Sequence, residues 1–150
     1  MNHHLRLVRI LRSGQLEEPA KLTEFGQATI APTLANYPPG EEEPAWPCFA
    51  LVEGEQAVGG GGYKTPPQDG EVEIAYFTAP EFDGRGYAGQ TARLLIARAR
   101  EIDPALTITA ETLMEENASV RLLRRLGFEQ TDIRVDPDEG IEVWHWKLRP

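Results

Sequence analysis

A glycine-rich segment, residues 82–90 with the sequence FDGRGYAGQ, carries the most recognisable chemistry in this chain. Gly84, Gly86 and Gly89 follow the spacing G-x-G-x-x-G and stand at the start of a stretch with helical periodicity. Glycines let the backbone approach a ligand closely, and the free N–H groups at a helix N-terminus attract anions. The segment therefore predicts a diphosphate-binding loop, but its spacing fits more than one class of diphosphate ligand.

Two glutamates near this loop could perform acid–base chemistry. Glu73 lies in EVEIAYFT, the strand-like segment before the loop, and Glu111 lies near the end of ALTITAET, the strand-like segment after the helix. A carboxylate can remove a proton from an ammonium directly or through a water molecule. The alternative is that either side chain only faces solvent or forms an ion pair.

The elements around the loop predict a mostly antiparallel sheet. Residues 48–63 form a strand, a turn and a second strand, and residues 71–78 alternate strictly between two faces, so three strands follow one another as a meander. A helix over 87–102, a strand, a shorter helix ending near Gly127 and two closing strands complete the chain. A first strand and one or two short helices precede the meander.

This arrangement argues against a nicotinamide or flavin dinucleotide site. In a dinucleotide-binding fold the first strand runs directly into the glycines, the strands are parallel, and an acidic residue follows about 20 residues later. Glu111 meets only the last condition, at 111 − 89 = 22 residues past Gly89. Residues 79–83 separate strand from loop, and that strand belongs to the meander.

The segment from Glu71 to Phe128, about half of the chain, resembles the GNAT (general N-acetyltransferase) superfamily, particularly its RimJ/RimL-type branch. The motifs that carry the resemblance are a strand, an A-P-E turn, a loop similar to R/Q-x-x-G-x-G/A, a strand ending A-E-T, the sequence NAS, and a helix ending L-G-F. The resemblance implies a single α/β (α+β) domain over residues 1–150. Its sheet would be mixed and mostly antiparallel, with six to seven strands and about four flanking helices. Residues 1–46 match no motif, and in this superfamily that region helps to shape the acceptor pocket.

The resemblance also implies a binding site for acetyl-CoA as co-substrate. The pyrophosphate would lie on the glycine loop, and the pantetheine arm would pair with exposed backbone at the end of the preceding strand. The implied cofactor-binding residues are Phe77, Thr78, Ala79, Gly84, Arg85, Gly86, Tyr87, Ala88, Gly89 and Asn117. Two positions depart from the pattern. Asp83 occupies the first loop position, and Glu116 stands where the family has asparagine, which leaves Asn117 to contact the cofactor or only to cap the helix.

The implied reaction is acetyl transfer to a primary amine of a small molecule or a protein N-terminus. Glu111, in the A-E-T motif, and Glu73 are the candidate bases, and N–H groups near Phe77 and Thr78 would face the carbonyl oxygen. Some GNAT enzymes protonate the leaving thiolate with a tyrosine, but Leu123 occupies that place here. These departures keep open an alternative, a non-catalytic acyl-CoA-binding module on the same fold.

Composition narrows the partners further. The chain has 150 residues, a formal net charge of −9 and one cysteine. Such an acidic balance argues against nucleic acid, and we expect no membrane association, no metal, a cytoplasmic location, and a monomer or homodimer. The negative net charge also favours a cationic acceptor, which residues 41–43 could guide to the site. Such an acidic run is, however, more often a solvated loop.

Four further residues carry expectations about position. Trp144 and Trp146 share one face of the last strand and should lie in the core or an interface, whereas His145 should face the surface. Trp46, in a proline-rich loop, is a candidate to line the acceptor pocket.

Overall fold

The computed structural model describes residues 4–150, which form seven strands, four α-helices and one 3-10 turn. In chain order the elements are β1 (Leu5–Arg9), α1 (Glu24–Ala28), α2 (Ile30–Asn36), β2 (Cys48–Glu53), β3 (Gln56–Tyr63), β4 (Glu71–Thr78), the 3-10 turn (Pro80–Phe82), α3 (Tyr87–Ile102), β5 (Thr107–Thr112), α4 (Ala118–Arg125), β6 (Glu129–Val135) and β7 (Glu142–Leu148). The predicted mixed α/β fold is confirmed.

All seven strands belong to one sheet, in the order β1-β2-β3-β4-β5-β7-β6. Every neighbouring pair is antiparallel except β4 and β5, which are parallel. The antiparallel meander predicted for β2, β3 and β4 is confirmed. A sheet with one parallel pair is also unlike the parallel sheet of a dinucleotide-binding fold.

Helices cover the two faces of the sheet differently. The largest apolar core joins β4 and β5 to α3 and α4, with Val72, Ile74, Leu95, Ile108 and Leu123 almost fully buried. Residues of β4 that alternate with these point to the opposite face, where the ring of Phe77 packs against Phe25 of α1, 5.6 Å between centroids. The short helices α1 and α2 thus lie on one face and the long helix α3 on the other.

The glycine run in β3 brings neighbouring strands unusually close. A Cβ atom added to Gly60 would lie 2.5 Å from the backbone oxygen of Phe49, and one added to Gly62 would lie 2.5 Å from Cα of Cys48. The β2–β3 register also shifts between Leu51 and Val52, as in a β-bulge. These glycines therefore have a structural role, as expected for a glycine-rich strand.

The last strand corrects one expectation. Trp146 is buried and donates a hydrogen bond from Nε1 to Oγ1 of Thr112 at 2.9 Å, and Trp144 packs against the same core, as predicted. His145, however, is only 3% exposed rather than a surface residue. The reason is that β7 is an interior strand between β5 and β6, so the side chains of its register partners, Glu111 and Asp132, lie on both sides of His145 on the same face.

Candidate active site

The strands β4 and β5 separate after a short paired segment. They pair only from Glu71 to Glu73 on β4 and from Thr107 to Thr109 on β5. Beyond this point β4 continues to Thr78 in partnership with β3 alone. The far half of β4 therefore presents a row of backbone groups to an open gap, where a bound ligand could supply the missing hydrogen bonds.

Strand alternation decides which backbone groups face the gap. Lys64 donates its N–H to the oxygen of Glu73, and Ala79 donates its N–H to the oxygen of Val58, so the odd-numbered residues of β4 are directed to β3. The backbone of Tyr76 and Thr78 is consequently directed to the gap. The N–H of Phe77 points away from it. This corrects the expectation that the Phe77 N–H faces the ligand, while that for Thr78 stays a prediction.

The glycine loop leads directly into α3. Gly84 and Gly86 have φ of +79° and +80°, a conformation that favours glycine, and Gly86 is the N-cap of the helix. The first helical residues include Tyr87, Ala88 and Gly89. A Cβ on Gly89 would lie 3.3 Å from Cδ1 of Leu122, so glycine there allows α3 and α4 to pack closely.

Side chains of the loop have defined surroundings. The hydroxyl of the buried Tyr87 donates to the carboxylate of Glu53 at 2.7 Å, whereas the exposed Arg85 guanidinium lies 5.4 Å from the ring centre of Phe82. Asp83 is also exposed. The loop thus offers backbone N–H groups and the exposed cationic side chain of Arg85 at the N-terminus of α3, a helix of sixteen residues.

The start of α4 shows one of the two roles considered for Asn117, the helix cap. Its Oδ1 accepts the N–H of Val120 at 2.9 Å, so the side chain caps the helix. Glu116 forms an exposed ion pair with Arg124, 2.6 Å between Nη1 and Oε1. The predicted contact between Asn117 and the cofactor stays untested.

A charged cluster of Lys64, Glu73 and Glu111 lies where the strands begin to separate. Lys64 Nζ is 3.1 Å from Glu73 Oε2 and 4.0 Å from Glu111 Oε2. These distances make ion pairs, but neither contact has the geometry of a hydrogen bond. The Oε2 atoms of Glu73 and Glu111 are therefore buried without a hydrogen-bond donor. All three residues line a cavity of about 230 Å³. The structure therefore brings together Glu73 and Glu111, which the sequence analysis predicted separately as candidate bases.

The surroundings of Glu111 raise the pKa of its carboxyl group above the value in water. Burial raises the pKa of Glu111, the nearby charge of Glu73 raises it further, and Lys64 partly opposes both. Burial alone would lower the pKa of Lys64, but attraction to Glu73 and Glu111 outweighs it, so that pKa is raised. The cluster thus holds one persistent cation beside a carboxyl with increased affinity for a proton.

A larger cavity of about 490 Å³ adjoins the smaller one on the α1–α2 face. Lys64, Ala75 and Tyr76 line both. Residues of α1, α2 and the loop before β2 complete the larger cavity, among them Phe25, Thr33 and Trp46. Trp46 therefore lines this cavity, and its place in an acceptor pocket stays a prediction.

A tyrosine is present near the gap, although not on the last helix. Leu123 is completely buried in the core, so α4 supplies no proton donor at that position. Tyr76, half-buried on β4, faces the start of α4; burial raises its pKa and the Ser119 side chain opposes the rise. Its hydroxyl is therefore a candidate for the unassigned acid.

Sequence reasoning missed Lys64 and Tyr76 as site residues. Lys64 follows a glycine strand, and a lysine beside a turn is usually a solvated charge. Tyr76 was placed correctly on the face of Val72 and Ile74, but nothing in the sequence showed that this face adjoins the gap.

Comparison with known proteins agrees with this geometry. A family model described as "Acetyltransferase (GNAT) domain" matches residues 15–129. A search of curated proteins gave no match.

Many solved structures share the fold. A ribosomal-protein-alanine N-acetyltransferase from Brucella melitensis is 22% identical over 70% of this chain and 69% of its own, with a TM-score of 0.59. An IAA acetyltransferase from Bacillus cereus is 14% identical over 98% of this chain and 100% of its own, with a TM-score of 0.68. A Bacillus subtilis acetyltransferase in complex with CoA is 15% identical over 85% of this chain and 86% of its own, with a TM-score of 0.61.

Residues 4–150 also bear on a membrane and on a metal ion as partners. None of the helices described is long and apolar enough to cross a membrane. Within the same residues, no three His, Cys, Asp or Glu side chains are grouped in a way that would hold a metal ion.

Proposed function

Since the chain belongs to the GNAT acetyltransferase family, we propose that it transfers the acetyl group of acetyl-CoA to a primary amine, with Glu111 as the general base. The observation that carries the proposal is the position of the Lys64–Glu73–Glu111 cluster at the point where β4 and β5 separate. Catalytic carboxylates need partial burial and nearby charges to be tuned, and this cluster provides both.

The gap and the glycine loop fit the co-substrate. Backbone groups of Tyr76 and Thr78 would pair with the amides of the pantetheine arm, as an added strand pairs with a sheet edge. The N–H groups from Gly84 to Gly89 at the start of α3 would hold the pyrophosphate, and Arg85 would add a positive charge. The partly exposed side chain of Phe77 would contact the arm, whereas Ala79 is only 1% exposed and its contact with the arm stays a prediction.

The thioester supplies the chemistry of the bond exchange: a C–N bond forms, the C–S bond breaks, and a thiolate leaves. Glu111 accepts the proton that the acceptor ammonium must lose before its nitrogen can attack. Glu73 keeps the pKa of Glu111 raised and, with Lys64, fixes the position of the cluster. The gap-facing N–H of Tyr76, nearer along β4 to Glu73 than that of Thr78, donates towards the carbonyl oxygen. The Tyr76 hydroxyl protonates the leaving thiolate, and the resulting phenolate takes up the second proton that the nitrogen loses as the amide forms.

The test begins with ligand binding. Acetyl-CoA and CoA should each raise the melting temperature, and NAD should not. A ligand at 100 times its Kd adds about 2.7 kcal/mol to the free energy of unfolding. For a chain of this size each kcal/mol raises the melting temperature by roughly 2–4 °C. CoA release should then depend on an added amine. A protein that bound neither compound and released no CoA with any amine would overturn the proposal.

The alternative, a non-catalytic acyl-CoA-binding module, is supported by Asp83, Glu116 and Leu123. It predicts the same rise in melting temperature but no amine-dependent release of CoA. The intact cluster of Lys64, Glu73 and Glu111 favours the enzyme, because a binding module has no need for partly buried carboxylates in the gap.

The finer assignments remain proposals. The motif order from Glu71 to Phe128 supports the RimJ/RimL-type branch. The similarity to the ribosomal-protein-alanine N-acetyltransferase from Brucella melitensis supports it as well. A cytoplasmic location rests on composition and the single cysteine. The sequence leaves a monomer and a homodimer equally open.

A further inference from the structure

The larger cavity offers an acceptor a largely apolar environment that includes several aromatic rings. Phe25, Tyr37, Trp46, Tyr76 and Phe77 line it. Phe49 and Tyr63 also border it, but their side chains are almost fully buried in the core on the α3 side. Phe25 and Phe77 lie 5.6 Å apart, and Trp46 meets the ring of Tyr63 edge-on at 4.9 Å. Such walls bind apolar and aromatic groups by burial and edge-to-face contact.

Contacts with α3 hold the rings of Trp46 and Tyr63 in place. Arg98 of α3 lies 5.8 Å from the Trp46 ring and 5.5 Å from the Tyr63 ring, and donates to the oxygen of Ala45 at 3.0 Å. The Tyr63 hydroxyl donates to the oxygen of Leu95. A rigid wall loses little conformational entropy when it binds a ligand.

Several polar atoms of the wall are already occupied. The Tyr37 hydroxyl donates to the oxygen of Ile10 at 2.8 Å and accepts the N–H of Cys48 at 3.0 Å. Thr29 and Thr65 each donate to a backbone oxygen, at 2.7 Å and 2.9 Å. A ligand with many hydroxyls or peptide groups would lose hydrogen bonds to water that these side chains cannot replace.

The charges near the cavity do not suit an acceptor with several cationic groups. Among the described residues that line it, Lys64 is the one charged side chain, and it repels a second ammonium. The acidic run proposed to guide a cation does not line the cavity; Glu43 accepts the N–H of Arg12 at 2.9 Å instead. Carboxylates lie instead in the adjoining smaller cavity, where Glu73, Glu111, Asp136 and Glu139 offer the place for the reacting ammonium.

We propose that the acceptor is a small primary amine with one aromatic or bulky apolar group, an arylalkylamine in chemical terms. This inference rests on the proposed function and names its substrate class. The apolar group occupies the larger cavity, and the amine reaches Glu111 across the junction lined by Lys64, Ala75 and Tyr76. Polyamines, aminoglycosides and protein N-termini are then poor acceptors.

The test measures amine-dependent CoA release for 2-phenylethylamine, spermidine, an alanyl peptide and a series of straight-chain alkylamines. kcat/KM should rise by roughly fourfold per added methylene, the factor expected for burying one methylene, until the cavity is filled. 2-Phenylethylamine should exceed spermidine and the peptide by at least about tenfold. A flat alkylamine series, or a peptide or spermidine better than 2-phenylethylamine, would overturn the inference.

Two matched variants place the effect in the cavity. Ala28→Trp adds a large ring to a cavity-lining position, and Ala35→Trp adds the same ring to an exposed α2 position outside the lining. The first should raise KM for 2-phenylethylamine by about tenfold or more, while the second should leave it unchanged. Equal effects of the two variants would contradict the proposed location.

Failure of this inference differs from failure of the proposed function. If acetyl-CoA raises the melting temperature and a polar amine is acetylated best, the enzyme stands and the substrate class is wrong. If acetyl-CoA neither binds nor reacts with any amine of the panel, the proposed function itself is wrong.

Discussion

Replacing Glu111 with glutamine is expected to abolish most of the activity without weakening acetyl-CoA binding. Glutamine has nearly the same shape but cannot accept a proton from the acceptor ammonium. The glycine loop from Gly84 to Gly89 lies on a different element and should be unaffected. Steady-state rates of CoA release and calorimetric titration with acetyl-CoA measure the two properties separately.

The expected loss is roughly 10²–10⁴-fold in kcat, the usual contribution of a general base. This corresponds to about 2.7–5.4 kcal/mol in the activation barrier. The cluster itself should survive, because Lys64 keeps its shorter contact, 3.1 Å, with Glu73. At 4.0 Å the attraction between Lys64 and Glu111 is worth between about 1 kcal/mol in water and about 4 kcal/mol in a protein-like dielectric.

The free energy of unfolding should move in the opposite direction to the activity. The pKa of Glu111 is raised in the folded protein, so between its unfolded and folded pKa values the folded state binds more protons than the unfolded state. Its ionisation therefore destabilises the folded protein as pH rises through that window. Glutamine removes this penalty, and Glu111→Gln should melt at or above the wild-type temperature at neutral pH.

Two other substitutions serve as comparisons. Glu115→Gln changes an exposed glutamate close by and should alter neither rate nor affinity. Glu73→Gln removes the like charge that raises the pKa of Glu111, so the acidic limb of the pH–rate profile should move to lower pH. An unchanged kcat in Glu111→Gln would refute its role as base, and an equal loss of acetyl-CoA affinity would point to a structural role instead.

Three stability predictions follow from other parts of the fold. Gly60→Ala places a Cβ 2.5 Å from the Phe49 backbone oxygen and should cost about 1–3 kcal/mol, seen as a lower midpoint in urea unfolding. Asn117→Ala removes the cap of α4 and should cost about 1 kcal/mol, with Asn117→Ser restoring most of it in thermal unfolding. Thr112→Val leaves the buried indole N–H of Trp146 without an acceptor and should cost about 1–3 kcal/mol; a neutral effect in differential scanning calorimetry would show that the bond is not needed.

Local patterns were sufficient for most of the fold. Strict alternation located β4 at residues 71–78, and helical spacing before Pro104 located α3 at residues 87–102. Alternation in the last strand placed Trp144 and Trp146 on one face, in the core or an interface, and Trp146 is buried in the core. It misplaced His145, because alternation tells which residues share a face but not which strands will flank them in the sheet.

The candidate site was less predictable because it depends on contacts between distant segments. Glu73 and Glu111 were both recognisable as carboxylates near strand ends, yet their shared contact with Lys64 requires β3, β4 and β5 to be neighbours. The direction of the Phe77 N–H depends on the β3–β4 register, which short-range patterns do not determine. The aromatic cavity combines the otherwise featureless residues 25–38 with β2, β3 and β4.

The most direct test of the central claim is mass spectrometry of the amine after incubation with isotopically labelled acetyl-CoA and catalytic amounts of protein. The account predicts that 2-phenylethylamine gains one labelled acetyl group over many turnovers with the wild-type protein and far more slowly with Glu111→Gln. Binding of acetyl-CoA without any labelled amine from the panel would contradict the claim that this chain is an amine acetyltransferase.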